Sequence, residues 1–117
     1  MSEIDKSKLK MYILILDNVP AGYAPVVAAH ASLACWLEFS ELQETRDIIQ
    51  DWRFYSFKKV VCKIEETDLK KFVDLPHYTV ITESKLDDRT TALAFCPREE
   101  WPQVFKYLPL WKPEDEN

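Results

Sequence analysis

Met11-Tyr12-Ile13-Leu14-Ile15-Leu16 is an unbroken apolar run that stops at Asp17-Asn18, and its reading decides the fold. A strand with one wet face alternates, so a run without alternation fits a strand covered on both faces, as in a parallel sheet. A parallel neighbour requires a crossover, and the following residues supply it. Pro20-Ala21-Gly22-Tyr23 punctuates the chain, and Pro25 stands where a first helical turn tolerates proline. From Val26 the pattern is helical. Val26, His30, Leu33 and Leu37 share one stripe, with Val27 and Ala34 beside it, and this stripe is the expected core face. Ala28, Ala29, Ala31 and Ala34 make the helix slim enough to sit close on a sheet.

Ser40-Glu41-Leu42-Gln43 has the form of a capping box and predicts a second helix to about Trp52, with Ile48, Ile49 and Trp52 inward. Phe57 to Ile64 reads as a strand with Val60, Val61 and Cys62 buried. Thr67-Asp68 caps a short helix through Val73. Tyr78 to Ile81 is a third strand, Glu83 to Asp88 a polar loop, and Thr90 to Phe95 a fourth strand stopped by Pro97. Glu99 to Tyr107 is a final amphipathic helix with Trp101, Val104, Phe105 and Leu108 on its apolar side. The order β-α-α-β-α-β-β-α predicts one α/β domain over residues 1–117, in two or three layers. Its small mixed sheet has four strands, three parallel and one antiparallel, and residues 1–9 and 112–117 are expected to be flexible.

The chain has 117 residues, 47% hydrophobic and 30% charged, enough to build a core. Fifteen Lys and Arg face twenty Asp and Glu, a net charge of -5 that excludes a uniformly basic nucleic-acid sleeve and leaves a local patch open. Lys58 and Lys59 with Lys63, Lys70 and Lys71 read as such a patch, or as lysines that keep a strand edge from pairing. The single glycine, Gly22, excludes phosphate loops and dinucleotide fingerprints, which need several. Cys35, Cys62 and Cys96 form no C-x-x-C pair and only His30 and His77 stand ready to join them, so neither a metal nor a cofactor is expected. Cys35 and Cys62 read as small buried hydrophobes, and free thiols fit a reducing compartment. No apolar leader is visible, and no run reaches the ~20 residues that cross a membrane, so a cytoplasmic protein without membrane contact is expected. Trp101, Phe105, Tyr107, Leu110 and Trp111 make an aromatic-rich end. Leu110 and Trp111, beyond Pro109, exceed what the last helix needs and suit a contact with a second copy.

Four strings, in this order and spacing, resemble the type II peptidyl-tRNA hydrolase superfamily from Lys10 to about Tyr107. KMYILILDN at 10–18 is similar to the family's first strand and following Asp. AGYAPVVAAHAS at 21–32 looks like its helix start G-K-x-A-A-Q-x-x-H-A, and FKKVVCKI at 57–64 like its K-K-V-V-L-K-V strand. LPHYTVIT at 75–82, followed by TTALAFCP at 90–97, is similar to L-P-x-x-x-I-x-D and V-T-V-L-G-I-G-P. The resemblance implies cleavage of the ester between a peptide and a tRNA, with tRNA as partner and a homodimer as assembly. Matched residue by residue, His30 falls on the family's helix histidine and Gly22 on its glycine. Tyr23 replaces the hydrolases' lysine and Val27 their glutamine. The motif D-A-G-R-T-Q is absent. Thr82 takes the place of the catalytic Asp with Glu83 beside it, Lys85 that of the motif's Arg, and Leu86 that of its Thr. The loop is also about three residues shorter. T-E-S-K-L looks closer to an uncharacterised sister family that shares the fold and lacks the hydrolase motif.

Ester hydrolysis needs a positioned nucleophile, a proton acceptor and a stabilised oxyanion. In this reading the crevice lies outside the carboxyl ends of the strands. Asp17, Asn18, Gly22 and Tyr23 rim it from one strand end, and Thr82, Glu83 and Lys85 from another, with Lys58 and Lys59 as further ligand contacts. Glu83 is a general base if it turns inward, Lys85 a phosphate or oxyanion contact, and His30 the third catalytic candidate. Tyr23 donates one hydrogen bond but is no permanent cation. The plain readings stand beside these: His30 as a satisfied buried imidazole, Glu83 as a solvated loop carboxylate, His77 as a surface residue. Three functions follow. One is a non-hydrolytic relative that binds a ligand or partner in the old crevice. Another is a hydrolase rebuilt around Glu83, Lys85 and His30, against which the acidic charge weighs. The third is a structural partner acting through its aromatic end.

Overall fold

The computed structural model describes residues 4–113. Residues 1–3 and 114–117, the outer parts of the two segments expected to be flexible, lie outside the described residues. The chain folds as β1 (Lys10–Leu16), α1 (Ala24–Glu41), α2 (Arg46–Tyr55), β2 (Lys58–Ile64), a 3₁₀ turn (Glu66–Lys71), β3 (Tyr78–Glu83), β4 (Arg89–Arg98) and α3 (Gln103–Lys106). It is a mixed α/β fold around a four-stranded sheet of order β2-β1-β4-β3. Among the described residues only β1 and β2 form a parallel pair; β4 lies between β1 and β3 and runs against both. The expected parallel set is corrected accordingly. β3 shares the direction of β1 and β2, but the short β3–β4 connection sends the last strand back into the sheet and keeps β3 from pairing with them.

β1 is buried along six of its seven positions, as its unbroken apolar run requires. Ile13 and Ile15 sit opposite Ala94 and Ala92 of β4. The small β4 side chains let α1 approach with Ala24, Val27, Ala31, Cys35 and Phe39, all essentially inaccessible. The expected core stripe is therefore overturned. Val26, Leu33 and Leu37 face solvent, Leu33 at 58% and Leu37 at 56% exposure. α1 is apolar all round, so its period could not choose a face. Close packing decides instead: two leucines against β4 would hold the helix away from the alanines below it.

The capping box is also unused. Ser40 and Glu41 belong to the last turn of α1, and α2 starts at Arg46. Thr45 makes the corner, its hydroxyl donating to the Phe39 carbonyl at 2.8 Å. β4 runs through Pro97 to Arg98, where a register shift beside Lys10 accommodates a residue without an N–H. The other sheet face carries an aromatic cluster in which Tyr12, Phe72, Phe95 and Trp101 all pack against Phe105. The last two expected helices shorten to the 3₁₀ turn and to α3.

Both segments expected to be flexible make contacts, the second through the Lys112 carbonyl, which accepts from Lys63 Nζ at 2.8 Å. Leu9 is fully buried, and the Asp5 carboxylate accepts from the backbone and hydroxyl of Ser7. Beyond α3, Lys63 N–H donates to the Pro109 carbonyl at 3.0 Å and Trp111 N–H to the Val61 carbonyl at 2.8 Å. This strap covers the β2 edge, and Trp111 forms one wall of a recess of about 220 Å³ shared with Ile15, Val61 and the start of α1. Trp111 is thus half-buried within its own chain rather than part of an exposed patch, because β2 needs an edge cover. Leu110 and Tyr107 stay exposed.

Candidate functional site

β3 alternates so that Ile81 and Glu83 turn toward α1 while Val80 and Thr82 point away, and this parity drives the Glu83 carboxylate inward. The side chain of Glu83 is only 8% exposed. His30, in the second turn of α1, reaches it with Nε2 at 3.2 Å from Oε2 and is itself 53% exposed. The two plain readings are therefore exchanged: the carboxylate is the buried group and the imidazole the solvated one. Glu83 Oε1 accepts from the Lys85 N–H at 3.2 Å. Oε2 is inaccessible and makes no aligned hydrogen bond among the described residues, leaving His30 as its nearest polar neighbour. The polar stretch after β3 is tighter than a loop: Ser84–Leu86 is a 3₁₀ turn, and Asp87 and Asp88 take left-handed φ of 58° and 56°, which aspartate tolerates.

The other expected site residues divide. Thr82 is exposed on the face away from His30, and Lys85 joins the cluster through its main chain with its side chain in solvent. Tyr23 is half-buried at the N-terminal boundary of α1 and packs on the core. Gly22 is exposed without a positive φ, and nothing lies within 4 Å of a Cβ placed there, so this backbone does not require glycine. Asp17 is exposed, and its N–H continues the β1–β2 pairing by donating to the Ile64 carbonyl at 2.9 Å. Lys58 and Lys59 stand at the first residues of β2, the opposite end of the sheet from Glu83. They cannot line the same crevice, because parallel β1 and β2 place their starts together and their ends together. Lys58 Nζ donates instead to the Ser7 carbonyl at 2.8 Å.

Arg89 is the residue that sequence reasoning missed. It pairs across the hairpin with Glu83, and its guanidinium donates to the Asn18 carbonyl at 3.0 Å. Arg89 thus places a cation at this end of the sheet and ties the end of β1 to the start of β4. The available signal was hairpin parity, which sets the first residue of β4 opposite the last of β3.

Cys35, Cys62 and Cys96 are buried and unpaired. Burial pushes the Cys62 thiol up to about 11 and Cys96 up to about 12, and raises Cys35 further in the same direction. These thiols stay protonated and act as apolar filling. Among the described residues no group of three or more His, Cys, Asp or Glu could hold a metal ion, and no helix is long and apolar enough to cross a membrane. A cleft of about 470 Å³ opens at the far end of the sheet, lined among others by Thr45, His77, Cys96 and Arg98. It shares no lining residue with the His30–Glu83 pair. No family model matches the chain, and no curated protein matches it either.

Proposed function

We propose that the chain is a type II peptidyl-tRNA hydrolase-like protein, of the sister kind without the hydrolase motif, that binds a ligand or partner at the crevice beside α1 and does not cleave esters there. One observation carries this reading. The two places where the resemblance sets the hydrolases' lysine and aspartate hold Tyr23, packed on the core, and Thr82, turned to the other face of the sheet. Neither supplies a charge to the crevice. Positioned acid–base groups contribute ~10²–10⁴-fold each, so two absent groups remove most of such a site's rate. The exposed apolar face of α1, with Val26, Leu33 and Leu37 beside His30, offers binding area in place of chemistry. The element order and the four strings support the scaffold. The three buried thiols support a reducing cytoplasm, and exposed Leu110 and Tyr107 support a second copy as one partner.

The second reading, a rebuilt hydrolase acting on a tRNA ester, is favoured by the His30–Glu83 contact. A buried carboxylate 3.2 Å from one imidazole nitrogen leaves the other free to take a proton from water. Arg89, already engaged by Asn18, is its available cation. The two readings part in an assay of peptide release from peptidyl-tRNA by the wild type, Glu83→Gln and Lys85→Ala. The binding reading expects all three at the buffer rate. Wild-type cleavage well above buffer, abolished by Glu83→Gln, would install the second reading.

A further inference from the structure

The C-terminal end of α2 and the turn into β2 lie at the opposite end of the sheet from Glu83, and folding explains only part of their composition. α2 buries Ile49 and Trp52 and is complete without more. Yet Phe54, at 68% exposure, and Tyr55 stand in solvent, and Phe57 remains exposed although one part of its ring packs on Trp52 at a centroid distance of 5.0 Å. Phe57 is also held at φ 61°, in the left-handed region, by its N–H donating to the Trp52 carbonyl at 2.6 Å. That is a helix-ending position that glycine or asparagine fills without strain and a bulky aromatic does not. A strained, exposed phenylalanine points to a use outside the fold.

Each ring has its own cation. Lys6 Nζ lies 4.8 Å from the Tyr55 centroid, the Arg53 guanidinium 4.6 Å from Phe54, and Lys59 Nζ 3.2 Å from Phe57. Lys59 is partly desolvated between Phe57 and Trp52, which holds its ammonium below the usual lysine value. Lys6 also has Asp51 at 3.4 Å. The pole therefore alternates aromatic faces with positive charge on a chain that is acidic as a whole.

We infer that this pole binds single-stranded nucleic acid, with bases stacking on Phe54, Tyr55 and Phe57 and phosphates meeting Lys6, Arg53 and Lys59. Stacking on aromatic faces with backbone neutralisation is the chemistry by which single strands are held. A flat lipid surface fits less well. Neighbouring helical positions point about 100° apart, so Phe54 and Tyr55 cannot enter one plane together, whereas a flexible strand can follow them round the helix end. RNA and DNA share this chemistry. The site is separate from the crevice and does not depend on the function proposed for it.

The test is fluorescence anisotropy of the full chain with labelled oligouridylate and oligothymidylate of about a dozen nucleotides, at several salt concentrations. Binding to either or both is expected. Three phosphate contacts give a slope of log affinity against log salt of about -2. Phe54→Ala should weaken binding at least about fivefold. Phe57→Asn should do the same while remaining folded, because relief of the left-handed strain offsets the lost packing on Trp52. Lys70→Ala, in the 3₁₀ turn near the other pole, should change nothing. Absence of salt-dependent binding, full affinity in the Phe54→Ala, Phe57→Asn double variant, or capture by phosphatidylserine vesicles that neither oligonucleotide competes away would overturn the inference.

Discussion

The two faces of α1 are made of similar residues and meet different fates. Val27, Ala31, Cys35 and Phe39 are sealed against the sheet, while Val26, Leu33 and Leu37 stand in solvent beside His30. Hydrophobicity alone does not separate them. In the middle of the helix the difference is size against a particular floor: Ala92 and Ala94 of β4 leave room for Ala31 and Cys35 and less for Leu33 and Leu37. Leu33 and Leu37 are thereby left for the surface, where an apolar helix face marks contact with something outside the chain.

Substitutions on the two faces should therefore diverge. Phe39→Ala, on the inner face, should cost about 3–5 kcal/mol in urea unfolding, and Leu37→Ala, one half-turn earlier on the outer face, within about 0.5 kcal/mol of nothing. Equal costs would break the comparison. Ala94→Leu, which thickens the floor, should cost about 1–3 kcal/mol by overpacking.

The buried thiols sharpen the same contrast through pH. The Cys62 value is raised on folding from 9.0 to about 11, so the thiol is protonated in both states below 9.0 and favours the unfolded chain only above it. Stability should thus fall as pH rises through that window, by about 1.4 kcal/mol per pH unit from this group, and Cys62→Ala should remove that share of the slope. The smallest effect belongs to the crevice. A double-mutant cycle of His30→Ala and Glu83→Gln at neutral pH should give a coupling of about 0.5 kcal/mol, modest because half of the imidazole is in water. A coupling of zero would mean that the two groups do not meet in solution.

Much of the fold was legible where physics acts locally. The unbroken run at Met11–Leu16 specified a doubly covered strand, which formed. Phe57 to Ile64 specified a strand that formed as β2 at the sheet edge, with Cys62 buried as expected and Val60 and Val61 only half-buried. Pairing was less legible, because the place of β4 between β1 and β3 depends on a connection whose sequence read only as polar. The Ser40–Gln43 pattern caps no helix, because α1 continues through Ser40 and Glu41 and carries Phe39 into the core. At the candidate site, Glu83 and His30 were found, but which of them is buried depends on strand parity and on the face that α1 buries. Arg89 was missed because its role comes from the hairpin partner rather than from its neighbours in sequence.

Hydroxyl-radical footprinting of the free protein, read residue by residue along α1, tests the central claim most directly. Rapid oxidation of Val26, Leu33 and Leu37 with Val27 and Phe39 protected is the predicted pattern. Protection of Leu33 and Leu37 in the monomer, with Phe39 oxidised, would show that the helix presents the other face to the sheet, and the binding surface proposed beside His30 would not exist.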